Sequence, residues 1–174
     1  MEEGKGKKIL GVIGGMGPEA TSYFYENVIT HTKAQKDQDH LNMVILSHAD
    51  IPDRTEAIKS GESQRLIRML QEDARTLEKL GAANIAITCN TSHYYYDQIQ
   101  KAVSIPIINM IHESVAYAVR ELPDVKRIGI MGTDGTIGSR IYHKECRKLG
   151  VTPVKPSPET VSYTHLTLPT IRLV

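Results

Sequence analysis

Short apolar runs alternate with amphipathic stretches along most of this 174-residue chain. Lys8 to Ile13 is apolar and stops at Gly14-Gly15-Met16-Gly17, which predicts a buried strand and a tight turn. Pro18 suits the first turn of a following helix, where its missing N–H costs nothing, and Glu19 adds a favourable negative charge there. That helix is expected to run to about Lys33. Met43 to Leu46 reads as a second strand, and Ser47 to Gly61 as a long polar connection. Leu66, Ile67, Leu70, Ala74, Leu77 and Leu80 recur at nearly helical period, so Ser63 to Leu80 should be an amphipathic helix that Gly81 stops. Asn84 to Thr88 predicts a third strand and Thr91 to Val103 a third helix. Ile105 to Ile108 is extended, and Pro106 argues against a central place in a sheet. Helical patterns at His112 to Leu122 and Ser139 to Leu149 come next. Strands alternating with helices, without hairpin signals, predict a parallel α/β architecture.

The chain also echoes itself. Gly11, Gly14 and Gly17 share their spacing and their preceding basic pair with Gly129, Gly132 and Gly135. The offset of about 118 residues suggests two similar α/β units in tandem, and would place a second counterpart of Cys89 near residue 207. The expected division is 1–107 for the first unit and 108–160 for the start of a second, incomplete one. Beyond Thr160 neither periodicity continues. Val161 to Thr170 resembles one reading frame of a transposon-type sequencing adapter, so 161–174 is expected to be a non-native tail that cuts the second unit short. A genuine β-rich terminus is the other reading, since Thr, Tyr, Leu and Val favour strands.

Composition narrows the classes. A net charge of +1 offers no electrostatic footprint for nucleic acid or an anionic membrane. No signal-peptide or transmembrane run is present in the sequence. Two cysteines, Cys89 and Cys146, make no disulfide framework, which points to a reducing, cytoplasmic setting. His31, His40, His48, His112 and His143 lack metal-ligand spacing, so no metal is expected. The glycine turns are not G-x-G-x-x-G, and no G-x-x-x-x-G-K-[ST] occurs, which weakens a nucleotide-binding reading.

The most informative segment is Asn84 to His93. An apolar strand there delivers Cys89 to its C-terminal end, directly before a predicted helix, which is where open parallel sheets place ligands. Unpaired N–H groups at a helix start favour thiolate. An inert, buried strand-end cysteine is the bland alternative. His93 reads as structural, and Cys146, within a helical pattern, as core or surface.

Ile87-Thr88-Cys89-Asn90-Thr91-Ser92-His93 resembles the T-C-N-T-[AS]-H motif of the aspartate/glutamate racemases. Gly14 to Thr21 is similar to that family's N-terminal glycine loop, Ile51 to Thr55 to its P-D-R-T element, and Ile128 to Thr136 to the strand and G-T-x-x-T turn opening its second domain. The resemblance implies two pseudo-symmetric α/β domains, each giving one catalytic cysteine, with substrate between them. It makes Cys89 the first-domain thiol, abstracting or returning the α-proton. Arg54 becomes a carboxylate clamp, Met16 and Gly17 pocket lining, and Asn90, Thr91 and Thr133 hydrogen-bond partners of the substrate. Thr133 could instead simply cap the following helix.

The implied activity is racemisation of aspartate or glutamate without pyridoxal phosphate or any other cofactor, with broader specificity left open. The full-length parent is expected to be a homodimer, and this chain, lacking the second thiol, to be inactive. Related hydantoin racemases, maleate isomerases and arylmalonate decarboxylases, or a non-catalytic small-anion-binding domain, are the alternatives.

Overall fold

The computed structural model describes residues 7–155 and 157; the tail assigned to 161–174 lies outside them. Strand β1 (Ile9–Gly14) is central and pairs in parallel with β2 (Asn42–Ser47) on one side and β3 (Ala82–Ile87) on the other. A bridge between Ile85 and Ile107 adds a last short segment beside β3, closed by Ile85 N–H to Pro106 O and Ile108 N–H to Ile85 O. Pro106 thus sits on the margin of the sheet, where its missing N–H breaks no ladder. A second parallel pair, β4 (Arg127–Gly129) and β5 (Thr152–Val154), forms its own small sheet. The expected parallel α/β class is what is observed. Both sheets open alike, with strand, glycine turn, helix and a parallel neighbour.

Burial explains the helices. Helix α3 (Gln64–Lys79) presents Leu66, Leu70, Ala74 and Leu77 to β1 and β3, and all four are essentially inaccessible. They join Ile13, Ile85 and Ile99 in the main core. A separate core of Val115, Ile130, Cys146 and Val151 lies under α5 (Met110–Glu121) and α7 (Ile141–Lys148). Helix α1 (Pro18–His31) buries only Thr21, and leaves Tyr23, Tyr25 and Ile29 exposed.

Three expectations need correcting. The stretch from Ser47 to Gly61 is not all connection, because α2 (Arg54–Ser60) forms within it. Asp53 starts that helix by accepting Glu56 N–H at 2.8 Å, and Gly61 ends it in the left-handed region at φ 77°. The helix expected over Thr91–Val103 is instead a 3-10 turn at Thr91–Tyr95 and a short α4 (Tyr96–Gln100). Helix α1 stops at His31, where Thr32 turns extended. Between β4 and α7 lies the five-residue α6 (Asp134–Gly138).

At the end of β2, His48 anchors the glycine turn. Its N–H donates to Gly14 O at 3.2 Å, and a Cβ on Gly15, at φ +87°, would lie 2.5 Å from the His48 backbone. Its Nδ1 sits 2.9 Å from the Asp73 carboxylate of α3, and Nε2 lies 3.0 Å from Asp50. The hydrogen bond to Asp73 lifts the imidazole above its ordinary value, against the opposing effect of burial. Burial also pushes Asp73 upward. Two carboxylates facing one ring make the charged histidine the better description of the pair.

A histidine raised on folding stabilises fully below its unfolded value, near 6.5, and loses that contribution as pH rises through the folded value. The urea midpoint should therefore fall as pH is raised through neutrality, and Asp73→Asn should flatten that slope. A slope equally steep in the variant would assign it to other groups.

Candidate active site

Cys89 lies two residues beyond the tip of β3, buried at 8% exposure. Parallel pairing carries it there: Thr88 N–H continues the ladder to Ile13 O at 3.1 Å, so the residue after it projects past the sheet. His93 fixes the backbone, since its buried Nδ1–H donates to Cys89 O at 2.9 Å. Nε2 is left to accept from Met110 N–H at 3.3 Å, the first residue of α5. Burial pushes the His93 ring below its ordinary value, which keeps it neutral in this role. The structural role expected of His93 is what the geometry gives. The chain leaves Cys89 in a single 3-10 turn rather than a long helix, so the dipole expected beside the thiol is weaker than a full helix would provide.

Around the thiol is a cavity of about 360 Å³ lined by Met16, Arg54, Cys89, Asn90, Thr91 and Thr133, all expected at the site from sequence. Gly17 is not part of the lining; its carbonyl instead takes Thr21 N–H and the Thr21 hydroxyl. Thr21 Oγ1 also accepts Gly15 N–H at 2.9 Å and lies 3.1 Å from Thr88 Oγ1. That one hydroxyl ties the glycine turn to the strand carrying the cysteine.

Arg54 begins α2 and faces the same cavity. One terminal nitrogen donates to the carbonyls of Ile51 and Pro52 at 3.4 and 3.2 Å. Its Nε is buried without an acceptor, and Arg54 has no ion pair among the described residues. A buried donor without a partner is costly, so a guanidinium in this condition is suited to an incoming anion.

The opposite wall comes from the second sheet's turn. Thr91 Oγ1 lies 2.9 Å from Thr136 Oγ1 and 3.3 Å from Thr133 Oγ1, closing a triangle of hydroxyls. Thr133 also caps α6 by accepting Thr136 N–H, the capping role expected of it, while its hydroxyl still lines the cavity. From α7, Tyr142 donates to Asn90 Oδ1 at 2.5 Å. Burial pushes the Tyr142 hydroxyl upward, which holds it as a neutral donor. Sequence reasoning missed Thr136 and Tyr142. The first sits within the glycine-threonine turn and could have been found there. The second had no local signal.

Cys146, fully buried in the second core, faces none of this. Burial pushes its thiol upward. Among the described residues, no three metal-ligating side chains converge anywhere, and no helix is long and apolar enough to cross a membrane.

A parallel α/β fold places a cysteine at a strand tip, in one cavity with an arginine and a hydroxyl cluster. The model of the Asp/Glu/hydantoin racemase family matches residues 13–168, and the chain belongs to that family. The broad specificity amino-acid racemase RacX of Bacillus subtilis is 34% identical over 141 residues, covering 78% of this chain and 59% of RacX. The chain thus spans well under two thirds of that relative. Among solved structures, the aspartate racemase of Picrophilus torridus superposes with a TM-score of 0.78 at 29% identity, covering 94% of this chain and 71% of that one. A putative Asp/Glu racemase from Yersinia pestis gives 0.77 at 26% identity, covering 94% and 70%.

The seam between the halves is sterically tight. A Cβ on Gly135 would lie 2.4 Å from Thr55 Oγ1 and 3.0 Å from Thr91. Gly135→Ala should therefore push α6 off α2 and cost about 1–3 kcal/mol in urea unfolding. A loss within error of zero would show that the seam yields freely.

Proposed function

We propose that this chain carries one half of the active site of an amino-acid racemase that needs no pyridoxal phosphate, acts on aspartate or glutamate, and works by two thiols. In this reading 1–107 and 108–160 are successive units, and Cys89 is the thiol of the first. The observation that carries it is the meeting of Cys89, the anion-ready Arg54 and the Thr91–Thr133–Thr136 hydroxyls in one cavity.

As thiolate, Cys89 takes the α-proton onto sulfur, and the electron pair left on Cα delocalises into the carboxylate. A second acid then protonates the opposite face. An α-proton is far less acidic than a thiol, so the developing dianion must be stabilised. Arg54 supplies fixed charge at that carboxylate, and the threonine hydroxyls and Asn90 supply oriented dipoles. His93 holds the cysteine turn from behind, and Tyr142, on the cavity wall, holds Asn90. The likeness to RacX favours a second reading, in which the same chemistry serves a wider set of amino acids.

In the complete parent protein, Cys89→Ser should lower interconversion of D- and L-aspartate by about 10³-fold with little change in melting temperature. Arg54→Lys should lower kcat/KM by roughly 10²-fold, because an ammonium cannot reproduce the planar two-point contact. Turnover unaltered in Cys89→Ser would end the proposal.

The cavity holds a single cysteine, so a two-thiol mechanism also predicts that the 174-residue polypeptide alone does not invert aspartate. Polarimetry with the purified chain checks this, and inversion at a rate matching the complete parent would refute the need for a second thiol.

A further inference from the structure

A second cavity, of about 550 Å³, is larger than the one at Cys89. It lies across α6 from it: Thr133 and Thr136, near the start of that helix, face the thiol, whereas Ile137 and Gly138, at its end, line the second cavity. Among the described residues its charged lining is basic, comprising Arg140, His143, Arg147 and Lys155 without one carboxylate.

Arg140, His143 and Arg147 are spaced i, i+3, i+7, so they share one face as the chain enters and follows α7. Neighbouring Lys148 is neutralised by Glu145 at 3.0 Å, but Arg140, Arg147 and Lys155 have no ion pair among the described residues. The Nδ1 of His143 is buried with no hydrogen-bond partner. Arg140 itself adopts φ 58°, a left-handed conformation that costs a side-chain-bearing residue free energy unless something else holds it.

We propose that this cavity binds a phosphate-bearing anion, such as a pyrophosphate or nucleoside diphosphate group. Arg140, Arg147 and Lys155 are all exposed and line one space, so an anion carrying more than one charge can reach all three, whereas a singly charged carboxylate would leave most of that charge unmatched. Arginines suit phosphate because they donate in pairs. Thr152 adds a hydroxyl to the lining. The proximity of these cations is visible at His143, which burial first and then Arg140, Arg147 and Lys155 push below its ordinary value.

The test is calorimetric titration of the 174-residue chain with inorganic pyrophosphate at low ionic strength. One saturable site is expected, weakening as salt is added. Arg147→Gln and Arg140→Gly should each weaken it about tenfold or more, the latter while keeping a residue that adopts positive φ without strain. Lys144→Gln removes the same charge outside the cavity and should leave affinity within about twofold. A parallel titration with ADP separates the sources: equal affinity assigns recognition to the phosphates alone, and tighter binding assigns it to a nucleotide. Absence of saturable binding, or equal losses in Lys144→Gln and Arg147→Gln, overturns the proposal.

Discussion

The contact on which this architecture turns is the close approach of α6 to the first sheet's loops. A helix can come so near α2 and the Thr91 turn only because residue 135 has no side chain. Three threonine hydroxyls then fall within about hydrogen-bonding distance across the seam, and each satisfies part of another's needs. Without that approach the wall facing Cys89 would be solvent. The cavity is therefore a product of docking between two separately cored pieces, and neither piece builds it alone.

Within the first sheet, the site is a consequence of parallel pairing. Strands β1, β2 and β3 all end on the same side, so the glycine turn, His48 and Cys89 gather there although they are far apart in sequence. The turn is then fixed from two directions. Thr21 bonds it to the β3 side and His48 bonds it to the β2 side. Gly15 can lie against the His48 backbone only because no Cβ intervenes. A chemically active thiol needs such a frame, because its reach to a substrate carbon is set by backbone atoms it cannot adjust itself.

How far this was legible in sequence differs by element. The period of Leu66, Leu70 and Leu77 announces α3 because those side chains pack on the sheet. The run up to Ile13 announces β1 for the same reason. Helix α2 was hidden since its seven residues, Arg54 to Ser60, bury only Ala57 and carry no apolar stripe; its cap at Asp53 is the one local cue. The turn after Cys89 looked helical because it is polar and free of glycine, but His93 bonding back to Cys89 and Met110 draws the chain into a 3-10 turn first. Local motifs pointed to Met16, Arg54, Cys89 and Asn90. Tyr142 could not be found that way, because its place depends on how α7 meets the first sheet, which no periodicity within α7 encodes.

The proposed division of labour between the two cysteines rests on the same physics. Cys146 sits in the second core beside Val115 and Ile130, where burial disfavours thiolate and no polar group waits for a substrate. Cys89 is nearly as buried by area and belongs to the main core, yet it also borders a cavity that holds Arg54, Asn90 and the threonine hydroxyls. Burial alone does not separate a packing sulfur from a reactive one. The nature of the neighbouring atoms does: in the proposed reaction a carbanionic intermediate lowers its energy only against fixed charge and oriented dipoles. The unpaired Nε of Arg54 is the clearest mark of that difference, since a buried donor without an acceptor is costly and the proposed substrate carboxylate would supply one.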